Sequence, residues 1–408
     1  MTIDADADIR HMRHALELAA GGTGWVSPNP LVGCVIVRNG EAVGQGYHQR
    51  FGGPHAEVHA LREAGNRAQG AVLYVTLEPC CHTGKTPPCV DAILRARVGR
   101  VVVAMRDPNP RVDGGGLSRL ESAGLEVTVG VCEAEAQRLN EAFVKYITTR
   151  RPFVTSKSAI TLDGKIATRS GASRWITGAA ARTAGHQLRH ANDAILVGIG
   201  TVLQDDPQLT TRLPGQRGAN PLRVVADSAL RLAATAQVAD VAEDRRTLVA
   251  TTEQAADAKV QALRDRGVEV IRLPAEKPVG SAEGRVESKG RKRSTHHASS
   301  ATNQGGRVNL DALCRVLGER GVASVLVEGG AVLSASLLRR RLIDKMVFFV
   351  APKIIGGDGV NVFGPCGVDT MQQILSLRDL TSRQLGADIM LEAYPAAWAA
   401  CSPATDGR

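Results

Sequence analysis

Two short stretches of this chain carry residues that could activate water. Pro54-His55-Ala56-Glu57 sets an imidazole two residues ahead of a carboxylate. Glu78-Pro79-Cys80 and, after Pro87-Pro88, Cys89 add two thiols. Zinc takes imidazole nitrogen and thiolate sulfur, and a catalytic zinc keeps three protein ligands with a fourth position open to water. His55, Cys80 and Cys89 form such a set. Water on zinc gives up its proton near neutral pH. Glu57, two residues from a ligand, can reach that water without binding the metal, take the proton and deliver it to a substrate's ring nitrogen and leaving amine. This is the chemistry of hydrolytic deamination. In zinc deaminases of nucleobases the second half of the pattern is Pro-Cys-x-x-Cys. Here eight residues separate Cys80 from Cys89, and Cys81 and His82 lie in the same loop as further candidates. Cys80 and Cys89 are preferred. Cys80 ends a strand and Cys89 opens a helix, positions where a helix N-terminus stabilises a thiolate. Cys34, Cys132, Cys314, Cys366 and Cys401 have no ligand-like neighbours and read as packing residues.

The elements that must position these groups follow from periodicity and turn chemistry. Ile9 to Ala20 reads as an amphipathic helix stopped by Gly21-Gly22. Leu31 to Val37 reads as a buried strand, and Asn39-Gly40 turns it into a second strand at Ala42 to Gly46. A helix opens at His55 and runs to about Ala64. Val72 to Leu77 and Val101 to Ala104 read as strands, with a helix from Cys89 to Arg97 between them. This alternation predicts an α/β layered domain over residues 1–150. A second α/β domain is expected over 151–396. Its strands read as Phe153–Ser158, Ala194–Gly198, Arg223–Asp227, Thr247–Thr251, Glu269–Leu273, Ser324–Glu328 and Lys345–Ala351. Its helices read as Ala179–Arg189, Asp257–Arg266, Leu310–Arg320 and Ala331–Arg340.

Composition narrows the function classes. The net charge is +9, and the stretch from Glu276 to Arg307 supplies about four of it. Aromatics make up 3% of the chain, too few for a surface that stacks single-stranded nucleic acid. We therefore expect no nucleic-acid partner, and a phosphorylated small molecule suits the remaining positive charge. No apolar run approaches the roughly 20 residues that span a bilayer, so no membrane partner is expected. No export signal precedes the first helix, and thiolate ligands suit a reducing compartment, so a cytoplasmic protein is expected. Residues from about 275 to 306 are rich in Gly, Ser, Lys and Arg and cannot bury enough apolar surface to offset ordering, which predicts a disordered insertion. Residues 397–408 read as a flexible tail.

The second domain lacks a Gly-x-Gly-x-x-Gly after its first strand, so a dinucleotide fold of that kind is a poor match. Glu328-Gly329-Gly330 instead puts bare backbone amides at a helix N-terminus, a seat for a cofactor phosphate. Gly356-Gly357-Asp358-Gly359 is a second glycine-rich turn.

Glu78-Pro79-Cys80-Cys81-His82-Thr83-Gly84-Lys85-Thr86-Pro87-Pro88-Cys89 resembles the zinc loop of the bifunctional deaminase/reductase family of riboflavin biosynthesis, in which the eight-residue separation is usual. Pro28-Asn29-Pro30-Leu31-Val32-Gly33 resembles that family's substrate segment. The resemblance runs from about Ile9 to Tyr394, apart from the insertion. It implies a cytidine-deaminase-like α/β/α domain followed by a dihydrofolate-reductase-like α/β domain. It implies Zn2+ in the first and NADPH in the second, and a homo-oligomer, dimer or tetramer. The implied substrate is a diaminopyrimidinone bearing a phosphoribosylamino group. The first domain exchanges an exocyclic amine for a carbonyl with release of ammonia, and the second reduces the ribosyl group to ribityl. Asn29, Ser173, Arg189, Leu209, Arg212 and Glu328 resemble substrate contacts, with Arg189 and Arg212 at the phosphate. Ala159, Trp175, Thr201, Asp205, Ser228 and the run Gly330, Ala331, Val332, Leu333, Ser334, Ala335, Ser336 resemble cofactor contacts.

Overall fold

The computed structural model describes residues 5–110, 112, 114–242, 245–276 and 306–396. The bulk of the expected insertion, 277–305, and the tail, 397–408, lie outside the described residues. Ala275–Glu276, expected to belong to the disordered insertion, instead pairs antiparallel with Arg307–Val308 as a short ribbon.

The first sheet is built from β1 (Gly33–Arg38), β2 (Glu41–Tyr47), β3 (Val72–Val75), β4 (Arg100–Val103) and β5 (Glu126–Val129), in the order β2-β1-β3-β4-β5. Asn39 and Gly40 both have positive φ, at 53° and 82°, the backbone that joins β1 tightly to β2. Side chains alternate across the sheet. Cys34, Ile36, Leu73, Val101 and Val103 pack on one face, while Val35, Val37, Tyr74 and Val102 pack on the other. The first face is covered by α2 (Ala56–Ala64), α3 (Cys89–Ala96) and α4 (Gly115–Ser122), and the second by α1 (Ala5–Ala19), α5 (Glu133–Leu139) and α6 (Glu141–Thr149). α2 lies directly on the backbone of β2. A Cβ on Gly44 would come within 2.3 Å of the Ala60 carbonyl oxygen, and one on Gly46 within 2.4 Å of the His59 Cβ. That close seat fixes the N-terminus of α2, and with it His55 and Glu57, beside the exit of β3.

The second sheet contains β6 (Phe153–Thr161), β8 (Ala194–Gly198), β9 (Leu222–Ala226), β10 (Thr247–Thr252), β11 (Glu269–Leu273), β14 (Ser324–Val327), β15 (Lys345–Ala351), β17 (Leu377–Leu385) and β18 (Asp388–Pro395). The intervening short strands are β7 (Lys165–Ala167), β12 (Ala275–Glu276), β13 (Arg307–Val308) and β16 (Val360–Asn361). The order is β11-β10-β9-β8-β14-β6-β15-β18-β17, parallel from β11 to β15 and antiparallel at β18 and β17. Leu196, Leu248 and Ala250 face one core and Ile195, Val197 and Val249 the other, so the parallel strands are buried on both faces. The helices α7 (Ala179–Ala191), α8 (Ile199–Asp205), α9 (Asp257–Arg264), α10 (Leu310–Glu319) and α11 (Ala331–Arg339) cover them. β17 and β18 were not foreseen. Nearly every residue of β17 is exposed, so its sequence carries no hydrophobic alternation.

The two halves are joined by Arg150, Arg151 and Pro152 and by side-chain links. Lys145 Nζ lies 2.5 Å from Asp344 Oδ2, whose other donor is the Val154 backbone N–H at 2.7 Å. Glu141 accepts from Tyr394 Oη at 2.6 Å and from Lys345 Nζ at 3.3 Å. His190, near the end of α7, packs its ring edge-on to Trp25 at 5.5 Å. A Cβ on Gly24 would strike that imidazole.

Candidate active sites

His55 is the N-cap residue of α2, Cys80 lies in the loop after β3, and Cys89 is the first residue of α3. One donor atom from each lies within 4.8 Å of the others. His55 Nδ1 is 3.3 Å from Cys89 Sγ and 3.5 Å from Cys80 Sγ. Nδ1 is therefore the nitrogen aimed at the sulfurs, and Nε2 faces Thr86 Oγ1 at 3.4 Å, a partner that fixes the ring as zinc ligands require. The Cys89 backbone N–H donates to Cys80 Sγ at 3.4 Å. The neighbouring Cys89 thiol, ahead of His55, holds the Cys80 thiol down to about 4, while Cys80 and burial push the Cys89 thiol up. Metal binding here would displace protons from these thiols. One nitrogen and two sulfurs in this arrangement fit zinc.

Glu57 is buried beside this set, and its Oε2 has no hydrogen-bond partner among the described residues. Burial raises its pKa, against the pull of His55, so the carboxyl holds a proton more readily than an exposed one. An orphaned buried carboxyl oxygen is costly unless a ligand completes it. Asn29 Nδ2 donates to His48 Nε2 at 3.1 Å, and His48 Nδ1 donates to the Pro54 carbonyl at 3.0 Å. Burial lowers the His48 pKa and keeps that ring neutral. The His48 ring lies 5.3 Å from the His55 ring, which brings Asn29 to the rim of the metal set with its Oδ1 free of this link. Glu78 fixes the loop from below. Its carboxylate accepts the N–H groups of Gly116, Leu117 and Asp107. Sequence reading missed His48, Thr86 and Glu78, although Glu78 lies next to the Pro-Cys pair.

The second site is a cleft of about 2260 Å³ at the carboxyl ends of β8, β9 and β14, where open parallel sheets bind ligands. All the residues expected there line it except Ser334, which is buried on the inner side of α11. Arg189, expected at a phosphate, holds Glu328 in this structure. Its Nε and Nη2 donate to Glu328 Oε1 and Oε2 at 2.8 and 2.9 Å, and Nη1 donates to the Thr210 carbonyl at 3.0 Å. Lys157 Nζ stands 3.6 Å from Glu328 Oε2. Lys157 was missed by sequence, although a lysine within a buried strand is a recognisable signal. Burial alone would raise the Glu328 carboxyl, but Arg189 and Lys157 hold it well below the usual carboxylate range. Among the described residues Arg212 has a single side-chain hydrogen-bond partner for its guanidinium, Gln208 Oε1 at 3.0 Å. Its backbone N–H donates to His186 Nδ1 at 3.3 Å, which leaves the other His186 nitrogen for the proton. Gly330 is the N-cap residue of α11 with no capping side chain, and the first helical bond is from Ser334 to Gly330. The amides of Ala331, Val332 and Leu333 are therefore without acceptors among the described residues, which fits a cofactor phosphate. Trp175 and Val332 are 66% and 59% exposed, apolar surfaces for a cofactor to cover.

His186 supplies a pH prediction. Burial first, then Arg189 and Arg212, push its imidazole down to about 4, with Lys157 adding to them and Glu328 opposing. Its ordinary value is about 6.5. The neutral ring's contribution to stability is present above the unfolded value and is lost as pH falls from about 6.5 towards 4. Urea midpoints should therefore drop between pH 7.5 and pH 5, and less so in His186→Asn, which keeps an acceptor but cannot titrate. An identical drop in both proteins contradicts this assignment.

Comparison with known proteins agrees with both sites. Residues 5–105 match the cytidine and deoxycytidylate deaminase zinc-binding region, and residues 152–391 match the RibD C-terminal domain. The riboflavin biosynthesis protein RibD of Aquifex aeolicus is 41% identical over 95% of this chain and 98% of its own length. RibD of Escherichia coli K12 is 38% identical over 94% and 98%. The solved structure of Acinetobacter baumannii RibD superposes with a TM-score of 0.81 at 38% identity, covering 96% of this chain and all of that one. That of the Thermotoga maritima diaminohydroxyphosphoribosylaminopyrimidine deaminase/5-amino-6-(5-phosphoribosylamino)uracil reductase gives 0.78 at 36%, covering 97% and 100%. The two folds are thus cytidine-deaminase-like and dihydrofolate-reductase-like, with zinc serving the first and NADPH the second. Matched in both halves and in the same order, the chain belongs to the RibD family, the bifunctional deaminase–reductases of riboflavin biosynthesis.

Proposed function

We propose that residues 1–150 deaminate and residues 151–396 reduce one phosphorylated pyrimidine, with the residue roles that follow. His55, Cys80 and Cys89 hold zinc. Zinc held there would lower the pKa of a water molecule and so supply the nucleophile for the ring carbon that bears the amine. Glu57 Oε2 takes one proton from that water as its oxygen bonds to the ring carbon and passes it to the ring nitrogen, then carries the second proton from the added hydroxyl to the amine, so the C–N bond breaks, ammonia leaves and the oxygen stays as a carbonyl. Asn29, its amide nitrogen held by His48, turns its carbonyl oxygen to the substrate.

In the cleft, the α11 amides and Trp175 seat the cofactor with Thr201, Asp205 and Ser228. Bound there, NADPH would be the hydride source for the ribosyl C1, whose bond to the ring oxygen opens, and a solvent proton on that oxygen completes the ribityl group. Hydride transfer depends on alignment. Arg189 anchors Glu328, Glu328 and Ser173 orient the sugar, and Arg212 with Lys157 faces the phosphate. The observation that carries this reading is the convergence of His55 Nδ1 and the two sulfurs beside the orphaned Glu57 Oε2. The test is to supply the phosphoribosylamino diaminopyrimidinone with and without NADPH. Mass spectrometry should show the deaminated product alone without NADPH and the ribityl product with it. An unchanged substrate in both arms rejects the reading.

Two further points belong to it. The exposed edge strand β17, with Leu377 and Leu380 43% and 65% accessible, supports a homo-oligomer. The seven described cysteines are all free thiols, which supports a reducing, cytoplasmic setting. No described helix is long and apolar enough to cross a membrane.

A further inference from the structure

The segment that carries Asn29 is held partly from outside its own half. Within that half, a Cβ on Gly22 would come within 2.5 Å of the His48 carbonyl oxygen, and the Phe51 N–H donates to the Trp25 carbonyl at 3.0 Å. Asn140 closes the far end, accepting the Leu31 N–H at 2.8 Å and donating to the Leu31 carbonyl at 2.9 Å. Between these ties, residues 23–27 meet the reductase half.

His190, in the last turn of α7, spans the junction with both ring nitrogens. Nδ1 accepts the Ala219 N–H at 3.0 Å, so the ring proton sits on Nε2, and the imidazole donates to the Thr23 carbonyl. Burial lowers its pKa and keeps the ring in this neutral form. Asp193, the residue before β8, makes the second hold. Its Oδ2 accepts the Ala323 and Ser324 N–H groups at 2.7 and 3.0 Å, and the carboxylate also accepts the Ser27 hydroxyl. Those amides lie where β14 begins, so the acid is fixed to the central sheet when it meets Ser27. Ser27 is two residues from Asn29, whose N–H closes a turn on the Val26 carbonyl at 2.9 Å. The backbone that sets Asn29 is thus pinned at Thr23 and Ser27 by groups of the other half. His55 and Glu57 need no such help, because they ride on α2 in its close seat on β2.

We propose that His190 and Asp193, although they belong to the reductase half, are positioning residues for the deamination, holding the segment from Thr23 to Ser27 so that Asn29 meets the pyrimidine. This rests on reading Asn29 as a substrate contact. Each hydrogen bond of this kind is worth about two- to tenfold in an equilibrium.

The test measures ammonia release, zinc content and NADPH-dependent reduction of the deaminated substrate on the full chain. His190→Leu keeps bulk and loses both bonds. It should raise the deaminase KM about tenfold, with kcat and reduction within about twofold of wild type and zinc unchanged. His190→Gln, which keeps a donor for the Thr23 carbonyl, should recover most of that loss. Ser27→Ala should raise the deaminase KM about three- to fivefold in the same way. Asn29→Ala should itself raise KM, and adding His190→Leu to it should change KM by less than about twofold, because the side chain being positioned is gone. Additive effects of His190→Leu and Asn29→Ala, or a wild-type KM in both His190→Leu and Ser27→Ala, overturn the proposal while the Asn29 reading stands. Loss of zinc, or an equal loss of reduction, in both His190→Leu and Ser27→Ala overturns it too. A wild-type KM in Asn29→Ala overturns the proposal and the Asn29 reading together.

Discussion

Glu57→Gln should lower ammonia release by about 10³-fold, a typical worth for one positioned acid–base group, while zinc content stays unchanged. The amide has the size of the carboxyl and fills the same buried space. It cannot accept a proton from water or carry one to the amine. Glu57 Oε2 has no partner among the described residues, so no hydrogen bond to them at that atom is lost. Metal content and ammonia release measured on the same sample decide the matter. A variant that loses zinc along with activity makes Glu57 a ligand, and a variant that keeps its rate removes it from the reaction.

Glu328→Gln should destabilise the second domain by about 3–5 kcal/mol, the range for breaking a buried ion pair from one side. Arg189 and Lys157 would both remain beside the amide with no counter-charge, and their side chains are only 15% and 18% exposed. Reduction should fail as well, so the deaminated intermediate accumulates. Urea unfolding and product analysis read the two effects separately. Because the carboxyl is held below its ordinary range, its stabilisation is present above about pH 4.3 and disappears only as pH falls through the depressed native value. Wild type and variant should therefore converge only in strong acid. A loss under about 1 kcal/mol, the worth of an exposed pair, contradicts the arrangement.

How much of this was legible beforehand depended on distance along the chain. His55 and Glu57 are two residues apart on one helix end, so their relation is local and readable. Cys80 could be read from its strand end, but Cys89 had to be preferred over Cys81 and His82. A loop's folding decides which sulfur meets Nδ1. The partnership of Arg189 with Glu328 and Lys157 joins α7, β14 and β6, and no spacing encodes it. Arg189 therefore read, by resemblance, as a phosphate contact, with no sign of its carboxylate partner. The buried parallel strands showed as apolar runs, while β17, exposed on both faces, had no pattern to show. His186 was passed over because what singles it out is its neighbours in space.

The junction between the halves is three residues long and riveted on both sides by Lys145–Asp344, Arg151–Asp311 and Glu141–Lys345. Two compartments hung on so short a strap cannot swivel to present themselves to one another. The bearing from one compartment to the other is already set by these links. Tying the two reactions into one polypeptide therefore fixes their stoichiometry and mutual orientation, and lends them no moving arm.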